Sequence, residues 1–354
     1  MERPLPDRLY LDHAATTPMT ARAMEAVAAG QGMWANPSSP HAEGRAARAA
    51  LEAARGEIAA AYGWRGETLL TSGASESLAI ALGRSVAARR VISAVEHDAV
   101  IRAAGEATVL PVGADGMIDP VSLVLGSGDL VAIQWANSET GVRQPIAAIA
   151  EAVHTAGALL LVDAAQMPAG PDLTEHADFI ALSAHKRGGP PGIGGLLVRD
   201  LATLHPTGGQ ERGYRPGTEN LPAAMGYAAA LAEAEPDHAP LRAKLDDAIR
   251  RSGGIVVGEG GPRHPAIGSY RMPGVASAAQ LIRFDMQGIA VSAGSACASG
   301  SLKPSHVLRA MGWSEEATRE VVRISFGRTT TVADIDRAIA AWRGIARGAR
   351  TVAA

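Results

Sequence analysis

The sequence predicts an α/β fold: a mainly parallel central sheet flanked by helices, followed by a smaller α+β unit. Three observations predict it. Short, almost unbroken apolar runs recur along the first two hundred residues, as in strands buried on both faces. Longer amphipathic stretches fall between them, the alternation of strand and helix that builds parallel sheets. The last hundred residues lose that alternation.

The strands in order are TLLT (68–71), RRVISA (89–94), LVAIQW (130–135), ALLLVD (158–163), DFIAL (178–182) and GGLLVR (194–199). They are bounded by Gly, Asp or Ser. Helical patterns cover 41–62, 75–88, 97–105 and 145–156. A long helical pattern over 219–252 then reads as a bridge. Beyond it come IVVG, AIGSYRM, a helix near 277–287, the strand VVRIS (321–325) and a closing helix over 332–347. The expected division is a large domain over 15–250, with 1–14 and 251–354 forming the small one.

Composition narrows the function classes. The chain has 354 residues, 47% of them hydrophobic, enough for a sizeable core. With 33 Lys and Arg against 36 Asp and Glu, it offers no electrostatic case for nucleic acid or an anionic membrane. No apolar run reaches a membrane span and the N-terminus shows no signal-peptide core, so a cytoplasmic protein is expected. One cysteine, Cys297, excludes an internal disulfide and a Cys-based zinc cluster. No metal site is expected.

LSAHKRGGPPGIGG (182–195) is the most informative stretch. Lys186 follows an apolar strand and precedes a Gly- and Pro-rich loop. A partly desolvated lysine there would have a lowered pKa and could form a Schiff base. From this segment alone, a surface lysine at a strand end is an equal reading. Asp163 shifts the balance, because it ends another apolar strand in VDAAQ (162–166). Pyridoxal phosphate needs such a pair, a carboxylate for its pyridinium nitrogen and an amine for its aldehyde. TSGASESLAIAL (71–82) adds a strand, a small-residue turn and a helix start, where Ala74 and Ser75 would present N–H groups to a phosphate. No P-loop and no GxGxxG is found. In EHDAV (96–100), His97 opens a helix. A lone histidine is more often structural, but in a cofactor site it could stack on the ring and move protons.

Ordered motifs then carry a resemblance over nearly the whole chain: LYLDHAATTP (9–18), NPSSPHAEG (36–44), TSGASES (71–77), EHDAV (96–100), NSETGV (137–142), VDAAQ (162–166), SAHK (183–186), GGQERGYRPGTEN (208–220), SAGSACASGSLKPSHVLRAMG (292–312) and VRISFGR (322–328). The sequence resembles the NifS/IscS-like cysteine desulfurases, class V members of the fold-type I pyridoxal-phosphate enzymes. The resemblance implies Lys186 as the Schiff-base lysine, Asp163 at the pyridinium nitrogen, Gln166 at the phenolic oxygen and His97 over the ring. It implies Ala74, Ser75, Ser183 and His185 at the phosphate, joined by Thr218 of a neighbouring subunit in a homodimer. Asn36 and Arg323 resemble the substrate-carboxylate clamp. Where the family has a cofactor-contacting asparagine this chain has Ser138, and the contact is left to Ser138 or to Asn137.

The resemblance makes Cys297 the sulfur acceptor. Lys186 would take the Cα proton of L-cysteine, the thiolate of Cys297 would attack the substrate sulfur, and L-alanine would leave behind a persulfide. Gly294 and Gly300 suit a swinging loop. The 26 residues from Cys297 to Arg323 match the long loop of the NifS/IscS group. The implied partner is a sulfur-acceptor protein serving iron–sulfur cluster, cofactor or tRNA biosynthesis. Only 26 residues follow Arg328, a shorter tail than the one that docks the family's scaffold protein. Selenocysteine lyase, a class V aminotransferase and an inactive sulfur-relay protein are the alternatives.

Overall fold

A computed structural model of the chain describes residues 8–293 and 304–353, with side chains through residue 348. The chain opens with β1 (Leu9–Tyr10), α1 (Ala21–Gln31) and α2 (Ala42–Ala61), and then enters the main sheet with β2 (Glu67–Thr71). There follow α3 (Ala74–Arg84), β3 (Arg89–Ser93), α4 (Asp98–Ala104), β4 (Thr108–Leu110), β5 (Asp129–Gln134), α5 (Ile146–Thr155), β6 (Leu159–Asp163), β7 (Phe179–Ser183) and β8 (Gly194–Val198).

These strands form a seven-stranded sheet in the order β2-β8-β7-β6-β5-β3-β4. Neighbours are parallel from β7 through β4, while β8 runs antiparallel to both β2 and β7. The apolar strands read as buried on both faces, and alternate side chains supply two cores. Val131, Ile133, Leu160, Val162 and Ile180 face α2, α5 and a later helix, α6 (Leu221–Leu231). Leu130, Ala132, Leu161, Phe179 and Ala181 face α3 and α4. That two-sided demand explains why period-two polarity is absent from these runs.

Beyond α6 lie α7 (Ala239–Arg251), β9 (Ile255–Val256), β10 (Ile267–Arg271), α8 (Ser277–Met286), β11 (Ile289–Ala290), α9 (His306–Ala310), α10 (Glu315–Thr318), β12 (Val321–Ser325) and α11 (Val332–Ala353). A three-stranded antiparallel sheet, β12-β10-β9, packs with α7, α8 and α11 around Tyr270, Phe284, Ile324 and Trp342. β1 pairs in parallel with β11, tying the N-terminus to this second unit.

The long helix expected over 219–252 is two helices. Pro236 has no N–H to donate and disfavours helix at Glu235, so the chain breaks between α6 and α7. Helix α7 buries Leu245, Ala248 and Ile249 in the second core, so that core draws on residues before 251. Among the described residues no helix is long and apolar enough to cross a membrane.

Candidate active site

The parallel strands end on one edge, and the loops leaving β2, β3, β5, β6 and β7 surround a cavity of about 440 Å³. It lies outside the carboxyl ends of the strands. The chain goes from β3 outward to β4 and then returns to β5 on the other side, so strand order reverses at β3.

One end of the cavity is a cradle. Helix α3 begins at Ala74, and its N-cap, Gly73, has φ 145° and supplies no side-chain cap. Small residues keep the backbone close here: a Cβ on Gly194 would lie 2.3 Å from the Leu182 carbonyl oxygen and 2.6 Å from Cα of Gly73. Ser75, Ser183 and His185 line the same cavity. Burial and the Lys186 charge push the His185 imidazole down to about 4, so it is neutral, and its Nδ1 lies 3.1 Å from Oγ1 of Thr16. A helix start without a side-chain cap, beside hydroxyls, suits a phosphate.

Lys186 closes the middle. It is half-buried, and desolvation is the first cause that lowers its amine to about 8; Asp163 opposes the shift, while Arg323 and Arg187 add to it. Asp163 ends β6 in register with Gln134 of β5 and Ala181 of β7, and its Oδ1 accepts from the Ala165 N–H at 2.9 Å. Gln166 donates from Nε2 to the Ala14 carbonyl at 3.0 Å, and its buried Oε1 has no protein partner. His97 caps α4, its Nδ1 accepting from the Ala99 N–H at 3.1 Å. Burial, then the charge of Lys186, lowers its pKa. The cap leaves the ring proton on Nε2, so a neutral imidazole faces the cavity.

The other end is cationic. Arg323 on β12 is almost completely buried and lines the cavity. Its guanidinium donates to Asp12 Oδ1 at 2.6 Å and to the Ser138 carbonyl at 2.8 Å, while Nε is buried without a partner. Ser138 thus meets Arg323 through its backbone. Asn137 serves the loop: its Oδ1 accepts from the N–H groups of Glu139 and Thr140 and from the Thr140 hydroxyl, and its Nδ2 donates to the Val95 carbonyl. A second set of donors for a cofactor is therefore not what Asn137 chiefly provides.

Lys186, Asp163, His97, Gln166, Ala74, Ser75, Ser183, His185, Ser138, Asn137 and Arg323 all come to this one cavity. Asn36 does not join Arg323 there. It is exposed, and its Oδ1 accepts from the Ser38 N–H at 2.8 Å. Thr218 is also exposed and away from the cavity. Cys297 lies outside the described residues, as do Gly294 and Gly300.

Sequence reasoning missed three wall residues, Glu96, Glu139 and His306, and the residue that holds Arg323 from outside the cavity lining, Asp12. Asp12 pairs with the buried Arg323. Glu96 is fully buried, with Oε1 accepting from the Ser93 hydroxyl at 2.5 Å and the Gln134 N–H at 3.1 Å, and burial with the nearby Asp163 charge raises it to about 8. Glu139 accepts from the Ser305 hydroxyl at 2.5 Å, and burial raises its pKa. His306 donates from Nε2 to the Glu96 carbonyl at 2.9 Å. The only available signal was a charged residue directly against an apolar run, as in VISAVEH and LYLD.

Comparison with known proteins agrees with this geometry. The aminotransferase class-V family model matches residues 9–338. The chain is 36% identical to an IscS-like cysteine desulfurase of Mycobacterium tuberculosis, covering 97% of this chain and 98% of that protein. It is 37% identical to a cysteine desulfurase of Cereibacter sphaeroides, covering 94% of each. A solved NifS-like protein of Rickettsia africae superposes with a TM-score of 0.84 at 30% identity, covering 96% of this chain and 99% of that one.

Proposed function

The chain belongs to the aminotransferase class-V family and is a cysteine desulfurase, and from that premise we propose that it works with pyridoxal 5′-phosphate held at Lys186 and passes sulfur to Cys297. The family depends on this cofactor, and the residues present fit it. The amine of Lys186 is half-buried and easily neutralised, a carboxylate stands at the end of β6, and Oε1 of Gln166 is buried without a partner. The uncapped start of α3 suits the phosphate.

When bound, the cofactor supplies an electron sink for charge developing at the substrate Cα. The protein's own residues do the rest. Asp163 would hold the ring nitrogen protonated, and Gln166 would meet the ring hydroxyl. His97 would cover one face with a neutral imidazole. Ala74, Ser75, Ser183 and His185 would hold the phosphate, with Thr218 reaching in from the neighbouring subunit of a homodimer. An exposed Thr218, outside its own cavity, is compatible with service to a second copy.

Arg323 would take the substrate carboxylate. Asp12 and the Ser138 carbonyl fix its fork in advance, and only a planar guanidinium could keep both contacts while meeting a third group. Lys186 would accept the Cα proton, for which an amine near neutrality is suited. The thiolate of Cys297 would attack the substrate sulfur as the Cβ–S bond breaks, and the acquired persulfide would pass to a sulfur-acceptor protein.

One observation carries this reading above the others: a half-buried lysine with a lowered pKa shares a cavity with a strand-end aspartate, a helix-capping histidine and a buried arginine. The test is to add L-cysteine to purified protein and weigh both products. Alanine and one extra sulfur on Cys297 are expected, and Lys186→Ala should abolish both along with the cofactor's visible absorbance. An active, yellow Lys186→Ala protein refutes the lysine assignment. Full alanine formation with no sulfur on residue 297 refutes the acceptor. Turnover with selenocysteine alone, or with a keto acid, marks the sister activities instead.

A further inference from the structure

A second, smaller chamber lies behind Lys186. It measures about 40 Å³, room for on the order of one to three water molecules. Ala14, Gln166 and Lys186 line both this chamber and the main cavity, so they form the partition between them. Its other walls come from the break between α6 and α7, from the approach to β10 and from the exit of β12.

Five of its lining residues, His13, Gln166, Arg187, His264 and Arg328, each hold a buried polar atom without a protein partner. Their chemistry is mixed. Arg187 Nε and Arg328 Nε are donors, and so is His264 Nε2, because its Nδ1 accepts from the Ala266 N–H at 3.0 Å. Gln166 Oε1 is an acceptor. An anion would satisfy the donors and repel Gln166, and a metal cation would do the reverse. Water alone serves both kinds.

We propose that this chamber holds ordered water which contacts the back of Lys186 and exchanges its ammonium protons with solvent while substrate fills the front cavity. The path out has a wet end. Glu235 pairs with Arg187 at 2.8 Å and its side chain is 25% exposed. The proton passes along the water as bonds to hydrogen form on one side and break on the other, so nothing is oxidised and no charge stays behind. His13 and His264 orient this water without carrying the proton. Burial pushes His13 down to about 4 and His264 well below its ordinary range, against about 8 for Lys186.

The proposal rests on Lys186 taking the substrate's Cα proton, and the experiment separates the two. A crystal structure of the full holoenzyme, at a resolution that shows ordered water, should find water in the chamber. L-cysteine deuterated at Cα is then turned over in ordinary water and the alanine weighed. Wild-type alanine should have lost most of its deuterium. His13→Phe keeps a ring beside Gly327, removes Nδ1 and crowds the chamber; it should retain several-fold more label with cofactor absorbance unchanged. A dry chamber in the wild-type crystal overturns the proposal even if the variant fails to fold. So does equal retention in a folded His13→Phe protein. An enzyme that makes no alanine overturns the assignment of Lys186 itself, and the proton path with it.

Discussion

Two side chains at the cavity, one basic and one acidic, hold their protons on different terms from the free groups: Lys186 gives up its proton more readily, and Glu96 keeps one where a carboxyl would ordinarily be ionised. Lys186 is pushed down to about 8 and Glu96 up to about 8, both chiefly by burial. Glu96 has no cation hydrogen-bonded to it among the described residues, and a carboxylate there would face Asp163 at low dielectric. Folding therefore takes up a proton at Glu96 between the unfolded value of 4.5 and about 8, and its contribution to stability falls as pH rises through that window. Glu96→Gln mimics the protonated form and removes this dependence. Denaturant titrations from pH 5 to 8 should show wild type losing stability relative to the variant by up to about 1.4 kcal/mol per pH unit. Parallel stability curves for the two proteins would show that Glu96 is ionised in the fold.

At the scale of elements, the cradle depends on how closely β8 approaches the turn after β2. Gly194 pairs with Thr71 on one side and Ser183 on the other, and any Cβ there meets backbone on both. Gly73 complements it with φ 145°, a conformation that favours glycine. Gly194→Ala should cost about 1–3 kcal/mol by overpacking. It should also displace the first turn of α3, so that titration of the apo-protein with pyridoxal phosphate shows weaker binding. Unchanged affinity in a destabilised variant would separate the strand contact from the phosphate site. A different element carries the other end. Arg323 projects from β12 of the second unit into a cavity whose floor belongs to the first, with Asp12 just beyond β1 holding it. The site is complete only where the two cores meet.

At the scale of the whole molecule, the proposed site draws on a second copy. Thr218 sits in an exposed segment, away from its own cavity, and an intersubunit role is our reading of that placement. Thr218→Ala should weaken cofactor retention on dialysis while light scattering still finds a dimer. A monomeric wild type, or retention equal to wild type, rules out that role. The polar junction of Arg187, Glu235 and Arg328 holds together the break between α6 and α7, β12's exit and the Lys186 loop. It thereby places the second unit against the amine.

Much of this was legible in the residues. Buried strands show as unbroken apolar runs because both faces are dry, so β2, β3, β5, β6, β7 and β8 could be located to within about a residue or two. Lys186 and Asp163 stood out because a charged side chain at the end of such a run needs a reason. The two-residue strands β1 and β11 carry no such signal, and the break at Pro236 was masked by helix-forming neighbours on both sides. Sequence by itself determined the alternation that builds the sheet and the order of the motifs, since both are local or nearly so. Only the tertiary structure decided that Asp12 grips Arg323 across 311 positions, that the Glu96 carboxyl is buried with no cation hydrogen-bonded to it among the described residues, and that unpartnered atoms from distant segments gather behind one lysine. Burial and charge pairing between remote segments are properties of the packed chain, and no spacing along it encodes them.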